Sequence, residues 1–242
     1  MHRHRHYIYP DPDSLISAFA CECASFIRET AELERPVHIA LSGGNTPIAV
    51  FHQLVQLTMK EEWSHIRFYW GDERCVSPDD SESNFGNAKR FLLDPLGIPD
   101  QHIFRIKGEE GPAIESDRYG QQLKELLPVE NGMPVFDWIW LGLGEDGHTV
   151  SIFPDQIELW GSETPCVVAT HPKSGQKRIS FTGSVINAAK RVSFIAMGHQ
   201  KSHVINEIVM KEGRFLEYPA FYVDPISGNL EWYMDKDATN WL

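Results

Sequence analysis

Short continuous runs of Val, Ile, Phe and Trp alternate with segments of helical period from residue 37 onward, and this alternation leaves few folds open. VHIAL (37–41), IRFYW (66–70), FDWIWLGLG (136–144), RISFTG (178–183) and VSFIAMG (192–198) read as strands. TPIAVFHQLVQLTMK (46–60), NFGNAKRFLL (84–93), DRYGQQLKELL (117–127) and HQKSHVINEIVMK (199–211) read as helices. Strands apolar on both faces and separated by helices predict a mostly parallel sheet covered on both sides: a doubly wound α/β fold, a Rossmann-like three-layer sandwich. LEWYMD (230–235) is expected as a late strand in an antiparallel edge position, and KGEEGPAIESD (107–117) as a surface loop. With 42% hydrophobic and 11% aromatic residues and no repeat or linker, residues 1–242 are expected to form one domain.

Charge and composition exclude several classes of function. A net charge of -12 argues against a nucleic-acid binder, whose affinity rests on clustered Lys and Arg, but a few local cations can still hold a small anion in a cleft. No run of about 18 apolar residues suggests a membrane span, and MHRHRHYIYP lacks the apolar stretch of a signal peptide, so a cytoplasmic protein is expected. Cys21, Cys23, Cys75 and Cys166 show no CxxC spacing and read as reduced thiols. The alternating His2, His4 and His6 read as part of a solvated basic tail in preference to a metal site. About 36 residues precede the first expected core strand and show no helix-turn-helix.

In a doubly wound sheet the ligand sits outside the carboxyl ends of the strands, so the residues just after each strand carry the chemistry. Ser42-Gly43-Gly44-Asn45-Thr46-Pro47 follows the first such strand and opens a helix, with Thr46 the expected cap and Pro47 the expected first helical residue. Paired glycines let a ligand approach, and a helix N-terminus offers free N–H groups, which together make a phosphate cradle; the bland alternative is a tight turn. It is neither GxGxxG nor GxxxxGK[ST], which disfavours a nucleotide. Asp72-Glu73-Arg74 follows IRFYW and reads either as an acid/base group with an anion clamp or as a solvated polar loop. Ser83 and Asn84 could cap the next helix or reach inward, and capping is the expected role.

Gly142 to Thr149 follows the most apolar strand. Within it Asp146 lies close enough to orient the His148 imidazole, a group that takes and returns protons near neutral pH. No HxxxH or Cys/His cluster accompanies it, so metal is not expected. Lys201, in the turn after VSFIAMG, is a candidate phosphate partner; Arg178, at the head of RISFTG, would point to the opposite rim if strictly extended, and is the weaker candidate from pattern alone. There is no GxSxG elbow and no base beside a cysteine, so water is the expected attacker.

Taken in order, LSGGNTP, GDERCVSPDDSESN, LGLGEDGHTVSIFP, KRISFTGSVIN and PAFYVDP followed by GNLEWY resemble the 6-phosphogluconolactonases, within the superfamily that also holds glucosamine-6-phosphate deaminase. The resemblance runs from about residue 37 to the end. It implies hydrolysis of 6-phosphoglucono-1,5-lactone without a metal or organic cofactor. A monomer or weak homo-oligomer is expected, with a sugar-phosphate lactone and no nucleic acid or membrane as partner. It implies His148 as the base, Asp146 as its partner, and Ser42, Gly43, Gly44, Asn45 and Thr46 as the phosphate loop, aided by Arg178 and Lys201. Arg74 would lie near the lactone or phosphate, with Asp72 beside it. Asn45 replaces the serine more usual in that loop. The deaminase branch carries a glutamate where DGHTVSIFP has Phe153, which removes an acid that ring opening requires and favours the lactonase. A non-catalytic sugar-phosphate sensor is the third reading.

Overall fold

The structure, a computed structural model, describes residues 4–239. His2 therefore lies outside the described residues. The main sheet contains strands β1 (Arg5–Tyr9), β2 (Val37–Leu41), β3 (Ile66–Trp70), β7 (Trp138–Leu141), β10 (Val192–Ala196) and β11 (Leu230–Asp235). Its order is β1-β11-β10-β7-β2-β3, and every neighbouring pair is parallel. All residues of β2, β7, β10 and β11 are buried, as expected of strands covered on both faces. A second sheet, β4 (Asp72–Arg74), β9 (Lys177–Phe181) and β8 (Cys166–Thr170), is antiparallel, and β5 (Val129–Glu130) with β6 (Met133–Pro134) forms a short hairpin.

One face of the main sheet is covered by helices α1 (Pro12–Thr30) and α2 (Asn45–Leu57). Phe19 of α1 packs against Trp138, Trp140 and Tyr233, while Phe51 of α2 stacks on Trp140. Beyond β3 come α3 (Asn84–Ala88), which continues as a wider π turn over Lys89–Leu93, and α4 (Pro112–Leu126). On the opposite face Tyr69 meets Phe136, Phe136 meets Phe181, and Tyr119 of α4 stacks on Phe181. The remaining helices are α5 (Gly183–Ala188) and α6 (Ser202–Met210). Among the described residues no helix is long and apolar enough to cross a membrane.

Four expectations need correction. Residues 230–235 run parallel and sit between β1 and β10, not at an edge, because the true edge strand is Arg5–Tyr9. That strand escapes a search for apolar runs because RHYIY is half exposed. Helix α1 also precedes the first expected core strand; Asp11 caps it by accepting from the Ser14 N–H at 2.8 Å. Residues 107–117 are a loop only as far as Gly111, since Pro112 opens α4. RISFTG belongs to the antiparallel sheet, with Arg178 paired to Arg74, so this reversal brings Arg178 to the rim where Arg74 lies.

Candidate active site

From β2 the chain moves outward to β3, then crosses back to β7 on the other side of β2. The winding direction thus reverses between β2 and β7, and at such a switch the loops leaving two adjacent strands part and open a crevice. The two loops here are Ser42–Thr46 after β2 and Gly142–His148 after β7. They lie against each other: a Cβ placed on Gly142 would stand 3.5 Å from Ser42 Oγ.

Helix α2 starts two residues earlier than the position of Pro47 suggests. Gly44, at φ 99°, is the residue before the first turn, and no side chain caps that end. The left-handed φ is one that glycine adopts without Cβ strain, and the uncapped turn leaves N–H donors facing the recess. That recess, about 160 Å³, is lined by Ser42, Gly43, Gly44, Asn45 and Thr46 and closed by Met197 and Lys201.

A second recess of about 360 Å³ holds Asp146 and His148, and Leu143 and Lys201 line both. His148 Nδ1 lies 2.6 Å from Asp146 Oδ1, which also accepts the His148 backbone N–H at 3.2 Å. Burial alone would raise the Asp146 carboxyl, but the bonds and charge from His148 outweigh it and hold the acid at about 2. An ionised Asp146 accepts a hydrogen bond from Nδ1–H, which leaves the lone pair of a neutral imidazole on Nε2. The ring is 28% exposed and rests on Phe153 at 4.8 Å between centroids. The loop closes on itself through Thr149 Oγ1 to the Gly142 carbonyl, 2.9 Å, and the Gly144 N–H to the His148 carbonyl, 2.8 Å.

Lys201 sits in the short turn between β10 and α6. That turn is anchored by Asp235, whose carboxylate accepts the Gly198 N–H at 3.0 and 3.1 Å. Burial pulls the Lys201 ammonium below its ordinary range, against the attraction of Glu145 and Asp146. Arg178 is also pulled down, first by burial and then by Arg74 across the β4–β9 pair. Its guanidinium lies 5.8 Å over the Phe153 ring, and the Nε atoms of Arg178 and Arg74 are both buried without a protein hydrogen-bond partner.

The two carboxylates of the Asp72-Glu73 pair are structural in their contacts. Glu73 accepts from the backbone N–H groups of Arg74, Asn84 and Phe85 and from Ser83 Oγ, tying the loop to the start of α3. Burial pushes its carboxyl up to about 7, against the pull of those N–H donors. Asp72 is buried, with Ser151 Oγ at 2.5 Å and Asn84 Nδ2 at 3.3 Å. Ser83 does cap α3, its Oγ accepting the Gly86 N–H at 2.9 Å, while Asn84 turns inward instead of capping. Ser151, Asp235 and His171 are rim residues that sequence patterns do not single out. His171, at the foot of the β8–β9 hairpin, stands edge-on to Phe153 in the His148 recess.

A glycine loop opening a helix and an Asp–His pair stand together at a topological switch of a parallel sheet, the place where α/β proteins of this class bind small ligands. Residues 10–232 match the family described as glucosamine-6-phosphate isomerases/6-phosphogluconolactonase. The chain is 42% identical to the 6-phosphogluconolactonase of Haemophilus influenzae over 88% of its length and 90% of that protein's. It is 41% identical to that of Treponema pallidum over 79% and 80%, respectively. The solved 6-phosphogluconolactonase of Trypanosoma brucei superposes with a TM-score of 0.89 at 28% identity over 100% of both chains. The chain belongs to the glucosamine-6-phosphate isomerase/6-phosphogluconolactonase family.

Proposed function

We propose that this chain opens 6-phospho-D-glucono-1,5-lactone to 6-phospho-D-gluconate. The observation that carries the reading is the pair of neighbouring recesses that share Leu143 and Lys201 in their walls, one lined by the Ser42–Thr46 loop and the other by Asp146 and His148. A phosphate seated on Ser42, Gly43, Gly44, Asn45 and Thr46, with Lys201 as its counter-charge, tethers the sugar so that its other end reaches the imidazole. Such tethering converts remote binding energy into alignment at the reacting carbon.

With Nδ1–H held by Asp146, Nε2 of His148 takes a proton from water as the water oxygen bonds to the lactone carbonyl carbon. The carbonyl oxygen becomes an oxyanion, for which the buried, unpartnered Nε–H groups of Arg74 and Arg178 are candidate donors; each such donor is worth about 3 kcal/mol in a dry site. As the oxyanion collapses, the bond from the carbonyl carbon to the ring oxygen breaks, and the imidazolium returns its proton to that oxygen. One imidazole serves both steps, and the acid product ionises.

The deaminase reading lacks its acid. Position 153 is a buried phenylalanine packed under the His148 ring and under Arg178, an apolar floor with no carboxylate to shuttle protons. Hydrolysis of freshly generated lactone, corrected for spontaneous opening, tests the proposal directly. Ammonia release from glucosamine 6-phosphate in place of lactone hydrolysis would install the deaminase reading, and binding of sugar phosphates with no turnover would install the sensor.

A further inference from the structure

The anion loop and the imidazole-bearing turn are joined by a chain of buried side chains that takes no direct part in the chemistry above. A Cβ on Gly43 would fall inside the Asn84 carboxamide, so Asn84 is pressed directly against the glycine loop. Asn84 Nδ2 donates to the Asp72 carbonyl at 2.9 Å and to Asp72 Oδ1 at 3.3 Å. The other carboxylate oxygen of Asp72 accepts Ser151 Oγ at 2.5 Å, and the Ser151 N–H donates to Ser180 Oγ at 3.1 Å. Asn84, Asp72, Ser151 and Ser180 are 3%, 6%, 0% and 0% exposed, so water does not compete for these bonds.

Ser151 is three residues beyond His148, and between them Val150 holds φ at 47°. A β-branched residue in the left-handed region is strained and persists only where its surroundings over-determine it. The two bonds of Ser151 supply that constraint, since they fix the chain immediately after Val150. Asn84 Oδ1, meanwhile, is buried with no donor, which costs folding energy, so what the carboxamide supplies at Gly43 is shape.

We propose that Asn84, Asp72 and Ser151 form a brace that fixes the separation between the phosphate loop and His148, and that Asp72 is a positioning residue and not a proton carrier. This rests on the lactonase reading and deepens it. A carboxylate that moved protons would need an oxygen open to substrate, whereas one oxygen of Asp72 is taken by Ser151 and the other faces Asn84 inside the protein. The brace connects the residue pressed on the anion loop to the turn that orients the base, so phosphate seating and imidazole alignment are set together.

The isosteric Asp72→Asn change separates the two roles. An amide keeps both bonds, its oxygen accepting from Asn84 and its nitrogen donating to Ser151 once that hydroxyl turns, but it carries no transferable proton. Asp72→Asn is expected to keep kcat within about thirtyfold of the wild type, and Asp72→Ala to lose about a hundredfold or more, the cost of an imidazole displaced by about an ångström. A greater than thirtyfold loss in Asp72→Asn overturns the proposal, whether or not Asp72→Ala folds. The contact at Gly43 is read by 6-phosphogluconate binding in calorimetry and by melting temperature. Gly43→Ala should weaken binding at least tenfold, and the Gly43→Ala/Asn84→Ala pair should bind no worse than Asn84→Ala alone, because the methyl then has room. Additive losses in the pair would refute the contact. Failure of the wild-type chain to hydrolyse lactone would instead count against the function proposed above, while the melting cycle of the same variants, which needs no substrate, still decides the brace.

Discussion

Gly144→Ala offers a way to displace the proposed catalytic pair, Asp146 and His148, without substituting either member. Gly144 is not among the glycines at positive φ, so alanine adopts its backbone conformation without torsional strain. The added methyl, however, would stand 2.5 Å from Asp146 Oδ1 and closer still to the His148 ring. Ordinary contact between such atoms is about 3.5 Å, so Asp146 must retreat by roughly 1 Å and the His148 ring by roughly 1.4 Å. A displacement of that size costs about a hundredfold in rate, or about 2.7 kcal/mol of barrier. The glycine loop lies in the other recess and is not touched, so KM should stay within about threefold. Steady-state lactone hydrolysis, corrected for spontaneous opening, measures both quantities, and near-ultraviolet circular dichroism checks that the fold is intact. A folded variant with kcat within about threefold of the wild type, or one that loses affinity and keeps kcat, would refute the alignment argument.

Lys201→Ala should raise KM for the lactone about tenfold or more with a smaller change in kcat, since a charge-assisted bond to phosphate is worth about 1.5–3 kcal/mol; lost turnover at normal affinity for 6-phosphogluconate would contradict the role. His38, 6% exposed with Nδ1 3.1 Å from the Tyr69 hydroxyl, is lowered to about 4, mainly by burial. Between pH 6.5 and 4 the unfolded chain binds a proton there that the folded chain refuses, so stability is full above about 6.5 and falls with pH through that window, by up to about 3 kcal/mol. His38→Gln, which keeps a partner for Tyr69, should flatten the fall in urea denaturation at the two pH values; an unchanged difference would show that His38 does not titrate this way.

What the sequence conveys about this fold depends on how local the cause is. Strands such as VHIAL and VSFIAMG are buried on both faces, so their apolar runs are complete in themselves. Their carboxyl ends then locate Ser42–Thr46, His148 and Lys201 with no further information. The edge strand RHYIY gives no such run, and its partner Leu230–Asp235 lies more than two hundred residues away, so neither the strand nor the parallel setting of its neighbour is visible locally. Helix α1 did carry a local signal: Asp11 and Pro12 ahead of Leu15, Phe19, Cys23 and Ile27 at helical spacing. Arg178 was ambiguous because its position turns on the direction of one strand, and antiparallel pairing with β4 decides it. The contacts of Asn84 and Ser151 were illegible for a different reason: each bonds to Asp72, 12 and 79 residues away in the chain.

The central claim is that one imidazole drives water onto a carbonyl whose far end is held by the glycine loop. His148→Ala tests it most directly, with kcat for fresh lactone and the affinity for 6-phosphogluconate measured on the same preparation. Turnover about a hundredfold or more below the wild type, with affinity within a few-fold, is expected. Turnover that stays at the wild-type level above the spontaneous rate would contradict the account.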